Sequence, residues 1–330
     1  MSNHPSAITQ SVALRAITQG VAPKAIAFGS INMDLVATTP KLPVPGETIL
    51  GSNFFTIPGG KGANQAVAMA RLGVAAYIVG RVGDDNFGNQ LLKNLQAAGV
   101  NIDNVLVDEN VSSGVALISV DGTGENQIIV VPGANGYVNS TDVDNLISLL
   151  PSCQILLMQF EIPLPTVLLA AQAAKRLGVK VILDPAPVLQ EIPAELYGLV
   201  DIITPNETEI GQLVGFPVID IDSATEATNI LLQRGVGCAI AKLGTKGVIC
   251  ATKEETFIVP AFPVDTVDTV AAGDAFNGGL AAAIVEGLSL RQAVVWGCAA
   301  GAIAATKSGA QSSMPTKEEL IDFLQARGAI

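Results

Sequence analysis

The 330-residue sequence predicts an α/β fold: a doubly wound, mostly parallel sheet flanked by helices, with a small β-sheet lid. Three observations carry that reading. From residue 153 onward, short apolar strands alternate with helical stretches over short connections, as in a parallel sheet covered on both faces. Polar residues gather at the carboxyl ends of these strands, where open α/β sheets hold their ligands. Two stretches, 35–57 and 114–131, interrupt the alternation with exposed-strand patterns and supply a second, smaller sheet.

Taken in order, residues 1–24 contain no acid and read as a disordered extension ahead of a single domain over 25–330. Ala25–Ser30 is a buried strand with Asn32 and Asp34 just beyond it, and no G-x-G-x-x-G follows. Leu35–Thr39 and Thr48–Ile57 are strands outside the main sheet, separated by a turn at Pro43, Pro45 and Gly46. Pro58–Gln65 (PGGKGANQ) is read as a loop entering a helix over Ala66–Leu72, with Gly73 at its C′ position. Glycines there let a ligand approach the backbone, and Lys61 and Asn64 can reach hydroxyls. A Walker loop is not present, because Gly follows the lysine. A strand at Ala75–Val79 and a helix at Asn86–Ala98 precede the hairpin of Gly114–Val120 and Gln127–Val131, which turns at Asp121-Gly122-Thr123-Gly124.

The later strands each end in polar residues. Ile155–Met158 leads to Gln159 and Glu161, Val179–Leu183 to Asp184, and Asp201–Ile203 to Asn206 and Glu209. Ala239–Ala241 leads to Lys242, Gly244 and Gly247. Any one could merely cap a helix; together they outline a cleft. Thr316 and Glu319 form a capping box for the final helix, a structural feature.

Composition narrows the chemistry. The net charge of −12 disfavours nucleic acid and anionic membrane as partners, and no apolar run reaches the roughly 20 residues of a membrane span. The longest, Ala293–Ala305, reads as a buried helix. Four cysteines without metal-ligand spacing point to reduced core residues and a cytoplasmic location. The single histidine, His4, falls in the N-terminal extension, so no histidine-based triad or metal site is available. The chemistry must run on carboxylates, backbone amides, lysine and bound ions.

The stretch that fits this demand is Asp268–Gly279 (DTVAAGDAFNGG). A buried helix is expected to begin near Gly273, and its unpaired first-turn N–H groups make an anion site. A carboxylate in that turn would ordinarily cap the helix. Preceded by Ala-Ala-Gly, Asp274 is better read as a base beside a bound phosphoryl group.

The sequence resembles the ribokinase-like (PfkB) family of sugar kinases from about residue 25 to its end. Seven stretches in register carry the resemblance: Gly59–Gly73, Asp268–Phe276, Gly29–Asp34 (GSINMD), Met158–Glu161 (MQFE), Pro205–Glu209 (PNETE), Leu243–Gly247 (LGTKG) and Gly309–Pro315 (GAQSSMP). The resemblance implies ATP-dependent phosphorylation of a small sugar, with ATP, Mg²⁺ and K⁺ as cofactors. By it, Asp274 is the general base, and Ala271, Ala272 and Gly273 with the Asp274 amide are the anion hole. Asn32, Asp34, Gly60, Lys61, Gly62, Asn64 and Glu161 match sugar contacts. Asn206, Lys242, Gly244, Gly247, Gly273 and Cys298 match nucleotide contacts, and Glu209 a Mg²⁺ contact through water. Asp268, Val270, Ala304, Lys307, Gly309 and Ser313 match a monovalent-cation site. Two residues depart from the family pattern: Lys242 stands where Thr is common, and Cys298 where a polar residue is frequent. A homodimer formed through the lid is also implied.

The substrate is expected to be a neutral, unphosphorylated sugar. Lys41 is the only basic residue between Ile31 and Pro58, and none lies between Ser112 and Gly136, so the lid offers no partner for a fixed anion. Ribose rather than fructose rests on the family resemblance. The alternatives are another kinase of the family, acting on fructose, a nucleoside or a keto-deoxy acid, or a non-catalytic sugar- or nucleotide-binding descendant.

Overall fold

The structure is a computed structural model and describes residues 24–330. The expected N-terminal extension and His4 therefore lie outside the described residues. The main sheet is entered at β1 (Lys24–Phe28), an interior strand in which Ala25 and Ala27 face one hydrophobic core and Ile26 and Phe28 the other. Two cores on opposite faces explain why the central strands are continuous apolar runs. Beside β1 lie β4 (Ala75–Gly83) and β8 (Cys153–Met158), both parallel to it. Beyond β4 is β5 (Asn101–Asp108); beyond β8 follow β9 (Lys180–Leu183), β10 (Ile202–Ile203) and β11 (Cys238–Lys242), all parallel. The antiparallel strands β12 (Val248–Thr252) and β13 (Thr256–Val259) complete a nine-stranded sheet.

The second sheet has four strands in the order β3 (Asn53–Gly59), β2 (Asn32–Thr38), β6 (Gly114–Val120), β7 (Asn126–Val131). The first two strands are displaced from the expected 35–39 and 48–57. They run closer to the main sheet, with Asn32 opposite both Gly59 and Gly114, and residues 39–52 lie outside the strands. The small sheet thus begins at the residues that leave β1.

Helix α1 (Lys61–Arg71) begins five residues before the expected Ala66. Gly60 turns the chain at φ 87°, and the glycine-rich stretch becomes the first helical turn instead of a loop. The glycine at 62 lowers helix propensity, but here packing decides. A Cβ on Gly62 would lie 2.6 Å from the Gly29 carbonyl carbon, so this side of α1 sits directly on the backbone leaving β1. Gly73, with φ 87°, follows the C-cap Leu72 as expected.

Helices α2 (Asn86–Ala97), α3 (Ser140–Leu149), α4 (Leu164–Leu177), α5 (Ala194–Leu199), α6 (Glu207–Val214) and α7 (Ile221–Arg234) follow, and α8 (Ala272–Val285) pairs with α9 (Leu290–Ala305). The last helix, α10 (Lys317–Gln325), carries the expected capping box: the Glu319 N–H donates to Thr316 Oγ1 and the Thr316 N–H to a Glu319 carboxylate oxygen. Strands β5, β12 and β13 and helix α3 had no distinct sequence signal. Among the described residues no helix is long and apolar enough to cross a membrane.

The catalytic edge depends on α1 and α8 lying in contact. Gly278 faces Ala68, and a methyl group there would overlap the Ala68 side chain while lying 3.2 Å from the Met69 backbone nitrogen. Gly278→Ala is expected to destabilise the protein by about 1–3 kcal/mol through overpacking. The check is urea unfolding of both proteins; an unchanged midpoint would show that the two helices can separate freely.

Candidate active site

The carboxyl ends of β9 and β11, the start of α6 and the first turns of α1 and α8 line a cleft of about 860 Å³; the residues after β1 and β8 adjoin it on the lid side, where Glu161 meets Ser30 and the Lys61 N–H. At its base is Asp274, only 4% exposed. Its Oδ2 accepts from Asn64 Nδ2 at 2.9 Å and its Oδ1 from Gln65 Nε2 at 2.9 Å. Burial raises its pKa to about 6; Lys61 and the two amides pull it down, whereas Asp184 pushes it up. A carboxyl with this pKa is largely ionised at neutral pH and still able to accept a proton, which suits a general base.

Helix α8 starts in an unusual way. Ala271, its N-cap, is the only non-glycine among the described residues with positive φ, at 59°. That conformation costs an alanine about 1–2 kcal/mol. The turn sends the Ala272 N–H back to the Thr269 carbonyl at 3.2 Å, while no backbone acceptor among the described residues takes the N–H of Gly273 or Asp274. The anion site expected over residues 271–274 is therefore concentrated in two amides, and Ala271 provides the bend. A methyl group placed on Gly273 would have Lys242 Nζ as its nearest neighbour, at 3.4 Å.

Lys242 itself pairs with Asp184 Oδ1 at 3.2 Å, and Lys61 Nζ lies 3.9 Å from Asp184 Oδ2. Burial alone would lower the Lys61 pKa, but Asp274, Asp184, Glu161 and Glu209 together hold it above its ordinary value. The cluster thus places two ammonium groups where an anion could displace carboxylates from them.

On the lid side, Glu161 Oε2 accepts from Ser30 Oγ and from the Lys61 N–H at 3.1 Å, so its other oxygen is left for a ligand. Asn135 Nδ2 donates to Asn32 Oδ1 at 2.7 Å and thereby turns the Asn32 amide nitrogen outward as a donor. Asp34 has its pKa raised to about 7, first by burial and then by Glu161 and Asp274. Asn64 Oδ1 is buried with no partner. Such an atom normally finds one, and a hydroxyl donor would supply it. Gly60 and Gly62 behave differently from the expectation of direct contact: both press on the backbone of residues 29–32, and the Gly62 N–H faces Ser30 Oγ at 3.4 Å.

On the opposite side, Asn206 and Glu209 form a reciprocal capping box for α6, each backbone N–H donating to the other's side chain at 2.8 Å. Burial, then Asp184, raises the Glu209 pKa. An acid so placed gains from a nearby cation, so the donor set fits a hydrated Mg²⁺. Gly244 and Gly247 hold the adjoining turn with φ of 54° and 91°. Gly247 lies against the backbone of Val259–Ala261, where no side chain could stand, whereas a Cβ on Gly244 would meet nothing within 4 Å. Cys298 lines the far wall with its thiol pushed up to about 12 by burial, as a neutral contact.

The expected monovalent-cation residues meet behind α8. Asp268 accepts from the Val270 N–H at 2.9 Å and the Gly309 N–H at 3.1 Å, which joins two of the loops. The Ala304 carbonyl accepts the Lys307 N–H at 3.0 Å and the Lys307 side chain pairs with Glu319, so any role of these two is through backbone oxygens. Ser313 is buried and donates to the Ala310 carbonyl at 2.7 Å.

Sequence reasoning placed Asp184 and Gln159 in the cleft, at strand ends, without giving either a role, and passed over Ser30, Gln65 and Asn135 as site residues; Gln65 was one helical residue beyond Asn64. Asn135 had no signal.

The model of the pfkB family of carbohydrate kinases matches residues 22–317. Ribokinase of Haemophilus influenzae is 42% identical over 298 residues, covering 90% of this chain and 97% of the relative. Deoxyribokinase of Salmonella typhi is 37% identical over 90% of this chain and 97% of its own length. The structure of Arabidopsis thaliana ribokinase complexed with ribose and ATP superposes with a TM-score of 0.86 at 34% identity, covering 92% of this chain and 99% of that one.

Proposed function

The chain belongs to the pfkB family of carbohydrate kinases, and from that premise we propose that it transfers the terminal phosphoryl group of ATP to D-ribose, giving ribose 5-phosphate. The observation that carries this is the pairing of a buried, proton-accepting Asp274 with unpartnered amides in the same helical turn. Base and anion hole within one turn activate an acceptor hydroxyl and stabilise the phosphoryl group arriving at it.

Asp274 takes the proton of the hydroxyl as that oxygen attacks. The Gly273 and Asp274 N–H groups and Lys242 hold the phosphoryl oxygens, whose charge dominates this kind of transition state. Asn32, Asp34, Asn64 and Glu161 hold the sugar: amides that donate and accept, and carboxylates that accept from hydroxyls. A missing hydroxyl would leave one of them unpaired, at about 1–3 kcal/mol. The small sheet acts as a lid, keeping out water that would compete as acceptor. Mg²⁺ supplies charge neutralisation on the nucleotide phosphates when bound, and Glu209 would hold it through water. We place the enzyme in the cytoplasm, consistent with four free cysteines.

Asp274→Asn should lower kcat by about 10³-fold or more while leaving nucleotide binding nearly intact. The companion measurement is kcat/KM for ribose, 2-deoxyribose, fructose, adenosine and fructose 1-phosphate, with ribose expected first. A nucleoside or a sugar phosphate in first place would overturn the substrate reading; a tenth of wild-type kcat in the variant would move the base elsewhere.

Asp268, the carbonyls of Val270, Ala304, Lys307 and Gly309, and Ser313 would hold K⁺, which steadies the turn at Ala271 without touching substrate. Activity in K⁺ should exceed that in a bulky organic cation at least several-fold, about 1 kcal/mol or more in the barrier. Equal rates in the two salts would remove the site.

Apolar residues on one face of the lid, among them Phe54 (68% exposed), Leu117 (43%) and Ile129 (62%), form a patch that calls for cover. A second copy of the chain, lid against lid, would supply it. Light scattering at micromolar concentration should give twice the chain mass; a monomer would reject this arrangement.

A further inference from the structure

Gln65 is fully buried on α1, and its amide is the only group that hydrogen-bonds to both Asp274 and Asp184 among the described residues. One Nε2 hydrogen goes to Asp274 Oδ1 at 2.9 Å and the other to Asp184 Oδ2 at 3.0 Å. Its Oε1 accepts from Nε2 of Gln159, itself buried at the end of β8. We propose that Gln65 is the positioning residue for the proton-transfer step: its amide, locked in one orientation by Gln159, clamps the base against the neighbouring Asp184 and fixes the direction in which Asp274 accepts. The proposal rests on the reading of Asp274 as the base.

The count of hydrogens fixes the orientation. A primary amide has two, and both are used, while its oxygen accepts from Gln159, so both ends of the amide have partners. A flipped Gln65 would turn its oxygen toward two carboxylates and its hydrogens toward another NH₂ group. With Oδ1 held by Gln65 and Oδ2 by Asn64, the Asp274 carboxylate cannot rotate, and its remaining lone pairs point in fixed directions.

The second effect is on charge. Two carboxylates close together in a buried site tend to share a proton, and a base that has already taken one cannot take another. Gln65 puts a neutral donor against each, where a shared proton would otherwise go. The charged groups that act on Asp274 are Lys61 on α1, Asp184 after β9 and Asp34 on β2; Lys242 at the end of β11 pairs with Asp184, and Glu161 after β8 acts on Asp34. None of them is changed by a substitution at 65. With Asp274 already raised to about 6 mainly by burial, losing a donor moves it toward neutral pH, and activity should then fall at a higher pH on the acid side.

The test is kcat against pH at saturating ribose and ATP for the full chain, its Gln65→Met and Gln65→Glu variants and Gln159→Met. In Gln65→Met the acid limb should move up by about one pH unit. The plateau should drop about tenfold, with KM for either substrate changed less than about threefold. Gln65→Glu is isosteric but has at most one hydrogen, and should shift the limb at least as far. Gln159→Met leaves Gln65 in place unlocked and should shift it in the same direction. A lowered melting temperature with the acid limb unmoved would mean a packing role only and would overturn the proposal. Should Gln65→Met not fold, an unmoved limb in Gln159→Met overturns it equally. An active Asp274→Asn would remove the reading of the base itself; an inactive Asp274→Asn with an unmoved Gln65→Met profile rejects the clamp alone.

Discussion

Everything at the catalytic edge depends on the mutual neutralisation of carboxylates and lysines in a volume too dry to hold either alone. Asp274 and Asp184 are 4% and 2% exposed, yet each has opposite charge or amide donors within reach. Lys61 stays charged because four acids face it, and Lys242 is paired with Asp184. A buried charge without compensation costs several kcal/mol, so removing one member is felt by all. The arrangement is stable at rest and also ready for an incoming polyanion. Lys61 and Lys242 both lie beside Asp184, at 3.9 and 3.2 Å, so one buried carboxylate is shared between two cations.

The fold exists to hold that cluster at one height. Each charged or polar member ends a different strand or opens a different helix, and the relative heights follow from sheet register. The register of β1 with β4 and β8 puts Gly29–Ser30 under Gly62, and the contact of Gly278 with Ala68 sets α8 against α1. Glycine at these crossings is a matter of distance between backbones: any side chain would push the first turns of the two helices apart and with them Asn64, Gln65 and Asp274.

Much of this was legible in the order of residues alone. The parallel sheet, its polar carboxyl edge, the helix beginning near Gly273 and the family are all visible as patterns local in sequence, since strand ends and helix starts have local signatures. What was not visible was of two kinds. Edge strands such as β5 lack clean alternation because one side is half-exposed, and α1 began early because packing on Gly29 outweighed the low helix propensity of Gly62. Pairings across long separations, such as Asn135 with Asn32 or Gln65 with Asp184, join residues whose individual environments give no sign of each other.

The same separation explains how a kinase can work with no histidine among the described residues. Histidine carries its useful pKa with it, whereas an aspartate must acquire one from its surroundings. Burial raises Asp274, Lys61 and two amides limit the rise, and the result of about 6 is a balance of opposed effects contributed by distant parts of the chain. A base made in this way is sensitive to each of its neighbours, whereas a histidine would bring its pKa to the site unaided.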